Sequence, residues 1–427
     1  MTSPQPPQGS PLSSPVGASG RPAEVGSVSY LHPAGSFVVE DHAVPDRHVE
    51  MWRFSPLDAL ADFFDPAASR PAEETGAVSL TLAADRGAGE EAVDLLAGSP
   101  ASLVAAPLAV GQAPRGTVLI PTDRVAAIAA AVPKAPHLVI PAGETLDAPV
   151  RVDITGHDCA TIATAHLVIE AGADSSATVL LRHTGSARYI GDVEIIVGAN
   201  AHLTVVSLQE WDDGAIHLGQ HEAVVGANAT YRHIAVSFGG QIVRLQNTVS
   251  YADEGGSAEL LGVYFSDSGQ HLEHRLFVDH NHPKGVSHAD YRGALQGEGA
   301  RSVWVGDVLI RPEAEGIETY ESNKNLLLTE GCRANAVPNL EIETGEIVGA
   351  GHSASTGRFD DEQLFYLKSR GIDEAEARRL VVRGFFAAII DRIAIPDVTE
   401  TLMAVIDREL EAAAAAGTTT EPQENLS

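Results

Sequence analysis

VIEAGADSSATVLL (168–181), IIVGANAHLTVVSL (195–208) and AVVGANATYRHIAV (223–236) share one template. In each, an apolar pair leads to a glycine (Gly172, Gly198, Gly226) and, two residues on, to Asp174, Asn200 or Asn228. An alternating stretch follows, in which Thr178, Leu180 and Arg182 face away from Val179, Leu181 and His183, the period of a strand. The glycines recur at intervals of 26 and 28 residues. YADEGGSAELLGV (251–263) continues the series with Gly256 at the Asp/Asn position, and LQGEGARSVWV (295–305) and LLTEGCRANAV (327–337) read as looser later members. Gly, Asn and Asp accept the positive φ that a tight corner between strands requires. Recurring corners with no helical segment between them predict a coiled parallel β-solenoid, in which each turn buries its apolar side by stacking on its neighbours. A β-sandwich would alternate in the same way, but with shorter and less regular corner spacing.

The composition agrees with stacked strands. Only 5% of the residues are aromatic while 44% are hydrophobic, so Val, Ile, Leu and Ala must build the core, and the 40 glycines supply turns. A net charge of −30, with Lys134, Lys284, Lys324 and Lys368 as the only lysines, leaves no basic run to attract nucleic acid or anionic lipid. The two cysteines, Cys159 and Cys332, form no CxxC, so this chain cannot supply a thiolate zinc site by itself. No signal peptide and no stretch long and apolar enough for a membrane span is evident, and a reducing cytoplasm is the expected compartment.

Five segments are expected. Residues 1–24, rich in Pro, Ser and Gly, should be a disordered tail. Residues 25–135 read as a mixed helical and α/β region, in which Ser55 can cap a helix with Pro56 at its first position. The β-solenoid takes 136–352, a helical segment takes 353–411, and 412–427 should be a flexible tail that frays from the alanine run onward. In the helical segment Asp360 with Gln363, and Asp373 with Glu376, have capping-box spacing, and Gly371 stops the first helix. Ala377, Leu380, Val381, Gly384 and Ala388 form an apolar stripe on the second helix, Pro396 breaks it, and Leu402, Val405, Ile406 and Leu410 line the last. These stripes either pack on the protein's own body or dock a partner.

Chemistry-bearing residues are few. His352, in the Gly-rich bend VGAGHSASTG (348–357), has little apolar cover and is an accessible imidazole that can ligate a metal or relay protons. His271, His274, His280, His282 and His288 form a second group, but no carboxylate or thiolate at a firm spacing completes a metal site, and ordinary strand or loop histidines are the default. Cys332 beside Gly331 reads as a small corner residue. Nucleophile-elbow, zincin and phosphate-loop motifs are absent; Gly87 and Gly89 lack the rest of a phosphate loop.

The stretch 325–386 resembles the C-terminal signature of the SufB/SufD family, scaffold proteins of iron–sulfur cluster assembly. The residues that carry the likeness are NLLL (325–328), Pro338 with LEIE (340–343), His352, DEQLFYLKSRGI (361–372), Gly384 and Phe385. Weaker agreement runs upstream through ARSVW (300–304), Tyr291, Ser287 and DHNHP (279–283) to Trp52, Arg53 and Phe54, so that it covers about residues 45–395. The chain resembles the SufD branch more than the SufB branch. The position two before the histidine, a cysteine in SufB-type and many SufD-type chains, is Ala350, and Ser353 stands where Gly is usual.

The resemblance implies a right-handed parallel β-helix with a helical C-terminal segment, in a non-catalytic scaffold subunit. It implies pairing with a SufB-type scaffold through the late strands, which include Leu340 and Ile342. It implies docking of a SufC-type ATPase on the C-terminal helices, through Asp361, Glu362, Leu364, Phe365, Tyr366, Arg370, Gly371 and Phe385. His352 becomes a transient iron or iron–sulfur ligand shared with the partner, whose cysteine must supply any sulfur ligand. The nucleotide site lies in the ATPase, and a flavin bound to the complex is compatible with the likeness. A β-helix polysaccharide-acting enzyme is the alternative with the same fold, and a purely structural assembly protein is a third reading.

Overall fold

A computed structural model describes residues 34–83, 92–97, 103–359, 361–393 and 395–417. The expected N-terminal tail, Gly87 and Gly89, the Asp360 cap and the last ten residues lie outside them.

Short elements come first: β1 (Ser69–Pro71), α1 (Ala72–Thr75), β2 (Val78–Leu82), β3 (Val93–Asp94), β4 (Val104–Ala109), α2 (Arg124–Ala130) and β5 (Lys134–Ile140). Two 22-residue strands, β6 (Val150–Ala171) and β7 (Ser176–Val197), open the solenoid. It continues through β8 (His202–Trp211), β9 (Ile216–Val225), β10 (Thr230–Ser237), β11 (Ile242–Tyr251), β12 (Ser257–Ser266) and β13 (His271–His280). β14 (Val286–Leu295), β15 (Arg301–Ile310), β16 (Glu318–Leu327), β17 (Arg333–Ile342) and β18 (Gly349–Arg358) complete it, and α3 (Asp361–Ser369), α4 (Glu374–Ile393) and α5 (Pro396–Gly417) follow.

Every coil-joining pairing from β5 to β18 is parallel; β5, β6, β7 and β8 pair in succession, and from β8 onward each strand pairs with the next but one. The chain therefore winds between two sheets. The first halves of β6 and β7 lead into β8, β10, β12, β14, β16 and β18; the second halves lead into β9, β11, β13, β15 and β17. The solenoid is thus the predicted one, with about eight turns.

Two columns of corners separate the sheets. In the first, Asp174, Asn200, Asn228, Gly255, Lys284 and Gly316 have positive φ, between 52° and 76°. Each backbone N–H in this column donates to a carbonyl of the next coil, as in Asn200 N to Ala227 O at 2.8 Å and Lys284 N to Glu315 O at 2.7 Å. The left-handed residue of the fourth corner is Gly255, not Gly256, because that coil is one residue shorter there. Lys284 takes such a position with no glycine or asparagine to announce it. Gly240, Gly269, Gly299 and Gly331 make the second column, so LQGEGARSVWV and LLTEGCRANAV belong to the opposite corner and not to the first template. The two corners look alike in sequence because both demand the same backbone conformation.

The interior between the sheets holds Val179, Leu203, Val205, Val243, Leu245, Leu260, Leu272, Val278 and Trp304, all buried. The N-terminal region covers the outer face of the second sheet, where Trp52, Leu60, Phe63 and Ile128 pack on Ile162, Ile190, Leu218 and Ile242. Polar locks fix this cover. Glu194 accepts the backbone N–H groups of Gly116, Thr117 and Val118 at 2.7, 2.9 and 2.7 Å, and the Arg244 guanidinium lies 3.9 Å from the Trp52 ring centre. Ser55 caps no α-helix. Turns and a short 3-10 helix, Ala61–Phe64, follow it, and its hydroxyl donates to the buried Glu273 carboxylate at 2.8 Å. A buried charge gains more from a donor than an exposed helix start does from a cap.

The C-terminal helices cover the outer face of the first sheet: Ala377, Val382, Phe386, Ile389, Ile390, Ile393, Leu402, Val405 and Ile406 pack on Val206, Ile234, Val236, Leu261, Val263 and Phe265. Arg292 and Arg232 on the sheet donate to Phe385 O and Arg392 O of α4 at 2.8 and 2.6 Å. Asp373 caps α4 through the Glu376 N–H at 2.9 Å, Gly371 with φ of 88° ends the preceding segment, and Pro396 begins α5 instead of merely breaking a helix. The buried stripe of α4 differs from the expected one, for Leu380, Gly384 and Ala388 face outward. Both stripes have helical spacing, but only the observed one buries Phe386, Ile389, Ile390 and Ile393. Each such side chain contributes about 1.5–3 kcal/mol when fully buried, and Gly384 and Ala388 offer little in exchange.

Candidate functional site

The two ends of the solenoid differ. At the first, β6 is covered by β1, β2 and β5. At the other, β17 pairs with β15 and β18 with β16, and among the described residues neither has a strand on its far side. A stacked array needs a cap at each end, and an unpaired edge is a template for another chain. Half-buried Ala336, Leu340, Ile347 and Ala350 pack against this end of the interior cluster, and Ile342 is 43% exposed.

His352 lies on strand β18, not in a bend as expected, and its side chain is exposed. Its Gly, Ala and Ser neighbours read as a loop, but backbone pairing to β16 holds them extended. Glu321 is its register partner. Register partners on adjacent parallel strands point the same way, about 4.8 Å apart, so His352 stands over Glu321 on the inward side of an uncovered coil. Tyr320 and Ser353 share the outer side, with the phenol donating to the Ser353 hydroxyl at 3.2 Å.

Glu321 escaped the sequence reading. ETYESNKN (318–325) is polar on both faces, which hides which face is buried. The inward positions are Thr319, Glu321, Asn323 and Asn325, all buried. Thr319 shares a hydrogen bond with Ser287 at 2.6 Å. Asn323 donates to the Tyr264 hydroxyl at 3.0 Å, Tyr264 donates to Asn325 at 2.6 Å, and Asn325 donates back to Asn323 at 2.6 Å. Glu321 has no hydrogen-bond partner at either carboxyl oxygen. Burial first, and Asp307 second, push its pKa up to about 8, so it is largely neutral near pH 7.

Of the second histidine group, His274 and His280 are core residues. His280 stacks on Tyr251 and shares a hydrogen bond with Ser287 at 2.9 Å, and His274 stacks on Tyr264 and is bonded to Ser237 at 3.0 Å. Burial lowers their pKa values to about 3 and about 4. His271 bonds Glu273 at 3.1 Å, while His282 is half-buried and His288 exposed. Among the described residues no group of three or more His, Cys, Asp or Glu side chains is arranged to hold a metal ion. Cys332 is half-buried at its corner, with Sγ 3.4 Å from Gly297 O.

The remaining candidate residues lie on α3, on α4 and in the turn between them, apart from the open coil in sequence and element. Phe365 and Tyr366 are 74% and 56% exposed, Arg370 stacks on Tyr366, and Glu362 is exposed. Phe385 is half-buried against the helix–sheet cluster. The side chains of Asp361 and Leu364 are outside the described set.

A family model for the SufBD core domain of SUF-system FeS cluster assembly matches residues 153–385. The chain belongs to the SufB/SufD family. An iron–sulfur cluster assembly SufBD family protein of Mycobacterium leprae is 45% identical over 382 residues, 88% of this chain and 93% of that protein. One of Mycobacterium tuberculosis H37Rv is 45% identical over 383 residues, 88% of this chain and 92% of that protein. The iron–sulfur cluster assembly protein SufD of Bacillus subtilis is 38% identical over 113 residues, 26% of each chain. This SufB/SufD protein is thus a member of an iron–sulfur cluster assembly family, and the polysaccharide-acting alternative is not favoured. Among the described residues no helix is long and apolar enough to cross a membrane.

Proposed function

We propose that the chain is the SufD-type, non-catalytic scaffold subunit of a SufBCD-type complex in the cytoplasm. The observation that carries this is the uncapped last coil, with the unpaired edges of β17 and β18 and the exposed His352 on its inward side. A SufB-type partner covers Leu340 and Ile342 and brings the thiolate that Ala350 cannot supply. His352 then lends an imidazole to the nascent iron–sulfur cluster, the cargo of the machine. Imidazole binds iron as thiolate does, and its neutral, weaker bond suits a cluster that must be handed on. The exposed Phe365, Tyr366 and Arg370, with Asp361, Glu362, Leu364, Gly371 and Phe385 around them, dock a SufC-type ATPase. The nucleotide, and any flavin, belong to the assembled complex.

Tagged full-length chain purified from its native lysate tests this reading. A sister β-helix protein and an ATPase should co-purify, with a native mass that accounts for all of them. Recovery of the chain alone, or only as copies of itself, contradicts it.

A further inference from the structure

The row of inward residues that ends at His352 can be read coil by coil: Val179, Val205, His233, Leu260, Ala289, Glu321, His352. An ionisable carboxyl enters it only in the layer directly beneath the exposed imidazole. That carboxyl is 2% exposed and lacks a hydrogen-bond partner, while its three inward neighbours on β16 all have one. Room has been left for it. A Cβ on Gly306 of the facing strand would lie 2.8 Å from Glu321 Oε2. A buried polar group without a partner is costly, and such a group in a native fold calls for a reason. The imidazole above it supplies one.

Resting on the reading of His352 as a ligand, we propose that Glu321 is the positioning residue of that imidazole. Both Glu321 oxygens are without a partner, so one is free to accept the Nδ1–H of His352 once the exposed ring turns inward, which fixes the ring and its tautomer and turns the Nε2 lone pair out of the open coil. The strand spacing puts the two side chains within reach of this bond. A ligating histidine characteristically gives its other ring N–H to a carboxylate or carbonyl, and loss of that acceptor weakens metal binding about 10–100-fold. The ligand class is a borderline divalent cation such as Fe(II), completed by donors of the partner chain.

Two measurements test this. Nitrogen-15 shifts of His352 in the full-length chain, assigned with His352→Ala, should show the Nδ1–H tautomer. They should move toward the Nε2–H tautomer in Glu321→Leu but not in Glu321→Gln, whose amide oxygen still accepts. Cobalt(II) titrated into the assembled complex should bind about 10–100-fold more weakly in Glu321→Leu and within a few-fold of the unmodified complex in Glu321→Gln. An Nε2–H tautomer in the unmodified chain overturns the proposal without reference to any variant. So does unchanged cobalt affinity in Glu321→Leu when His352→Ala has lost it. Unchanged cobalt affinity in His352→Ala overturns instead the ligand reading on which the proposal rests.

Discussion

Glu321→Gln should make the protein more stable, by an amount that grows with pH. The folded chain holds this carboxyl at a pKa of about 8, against an ordinary value of 4.5. Below pH 4.5 the group is protonated in both the folded and the unfolded chain and has no effect. As pH rises from 4.5 toward 8, the unfolded chain releases the proton and the folded chain does not, so the stability conferred by holding it is lost. Each pH unit in that window is worth about 1.4 kcal/mol, which amounts to about 1 kcal/mol at pH 5 and about 3 kcal/mol at pH 7. Glutamine has nearly the same shape and a neutral polar head, so it escapes this term and little else changes. Urea unfolding of the two proteins at pH 5, 6 and 7 reads the difference as a shift in midpoint at constant slope. A variant of equal or lower stability at pH 7, or a difference that does not widen with pH, would refute the reasoning. A residue that destabilises the fold it sits in is also what a functional position looks like.

Three further outcomes are expected. Phe386→Ala removes a fully buried anchor of α4 and should cost about 3–5 kcal/mol, seen as faster amide exchange in α4 and α5 with the solenoid strands unchanged. Lys284→Gly should stabilise by about 1 kcal/mol in urea, because φ of 58° strains a side-chain-bearing residue and the exposed ion pair to Glu254 that it gives up is weak. Burial would raise the pKa of Glu273, but the hydrogen bond from His271 and the charges of Arg244 and Arg275 hold it well below the ordinary range. The stability this carboxylate confers is present above about pH 4.5 and lost as pH falls below it. Glu273→Gln should therefore cost about 3–5 kcal/mol at pH 7 and much less near pH 2, in the same unfolding assay.

Corner chemistry made the solenoid legible. Asp174, Asn200 and Asn228 stand where φ is positive, and the strands between them alternate as a two-sided wall must. What was hidden in the sequence depends on the third dimension. Gly255 and Gly256 are indistinguishable until the coil length is known, and Lys284 shows that backbone pairing between coils can force a corner on a residue that does not favour it. Likewise α4 offers two stripes of helical spacing, and only the shape of the sheet beneath selects Phe386 and Ile390 over Leu380 and Ala388. The site was half visible. His352 stood out by residue type and by family likeness. Glu321 did not, because its meaning comes from a pairing between residues 31 apart that only the stacking of β18 on β16 creates.

The central claim is that this chain lends an imidazole to a cluster built at a shared seam. Iron and acid-labile sulfide, measured in the complex co-expressed with its SufB-type and SufC-type partners, test it most directly when His352 is replaced by alanine. The complex should assemble with unchanged subunit ratio and carry almost no cluster. An intact complement of iron and sulfide in that variant would contradict the account.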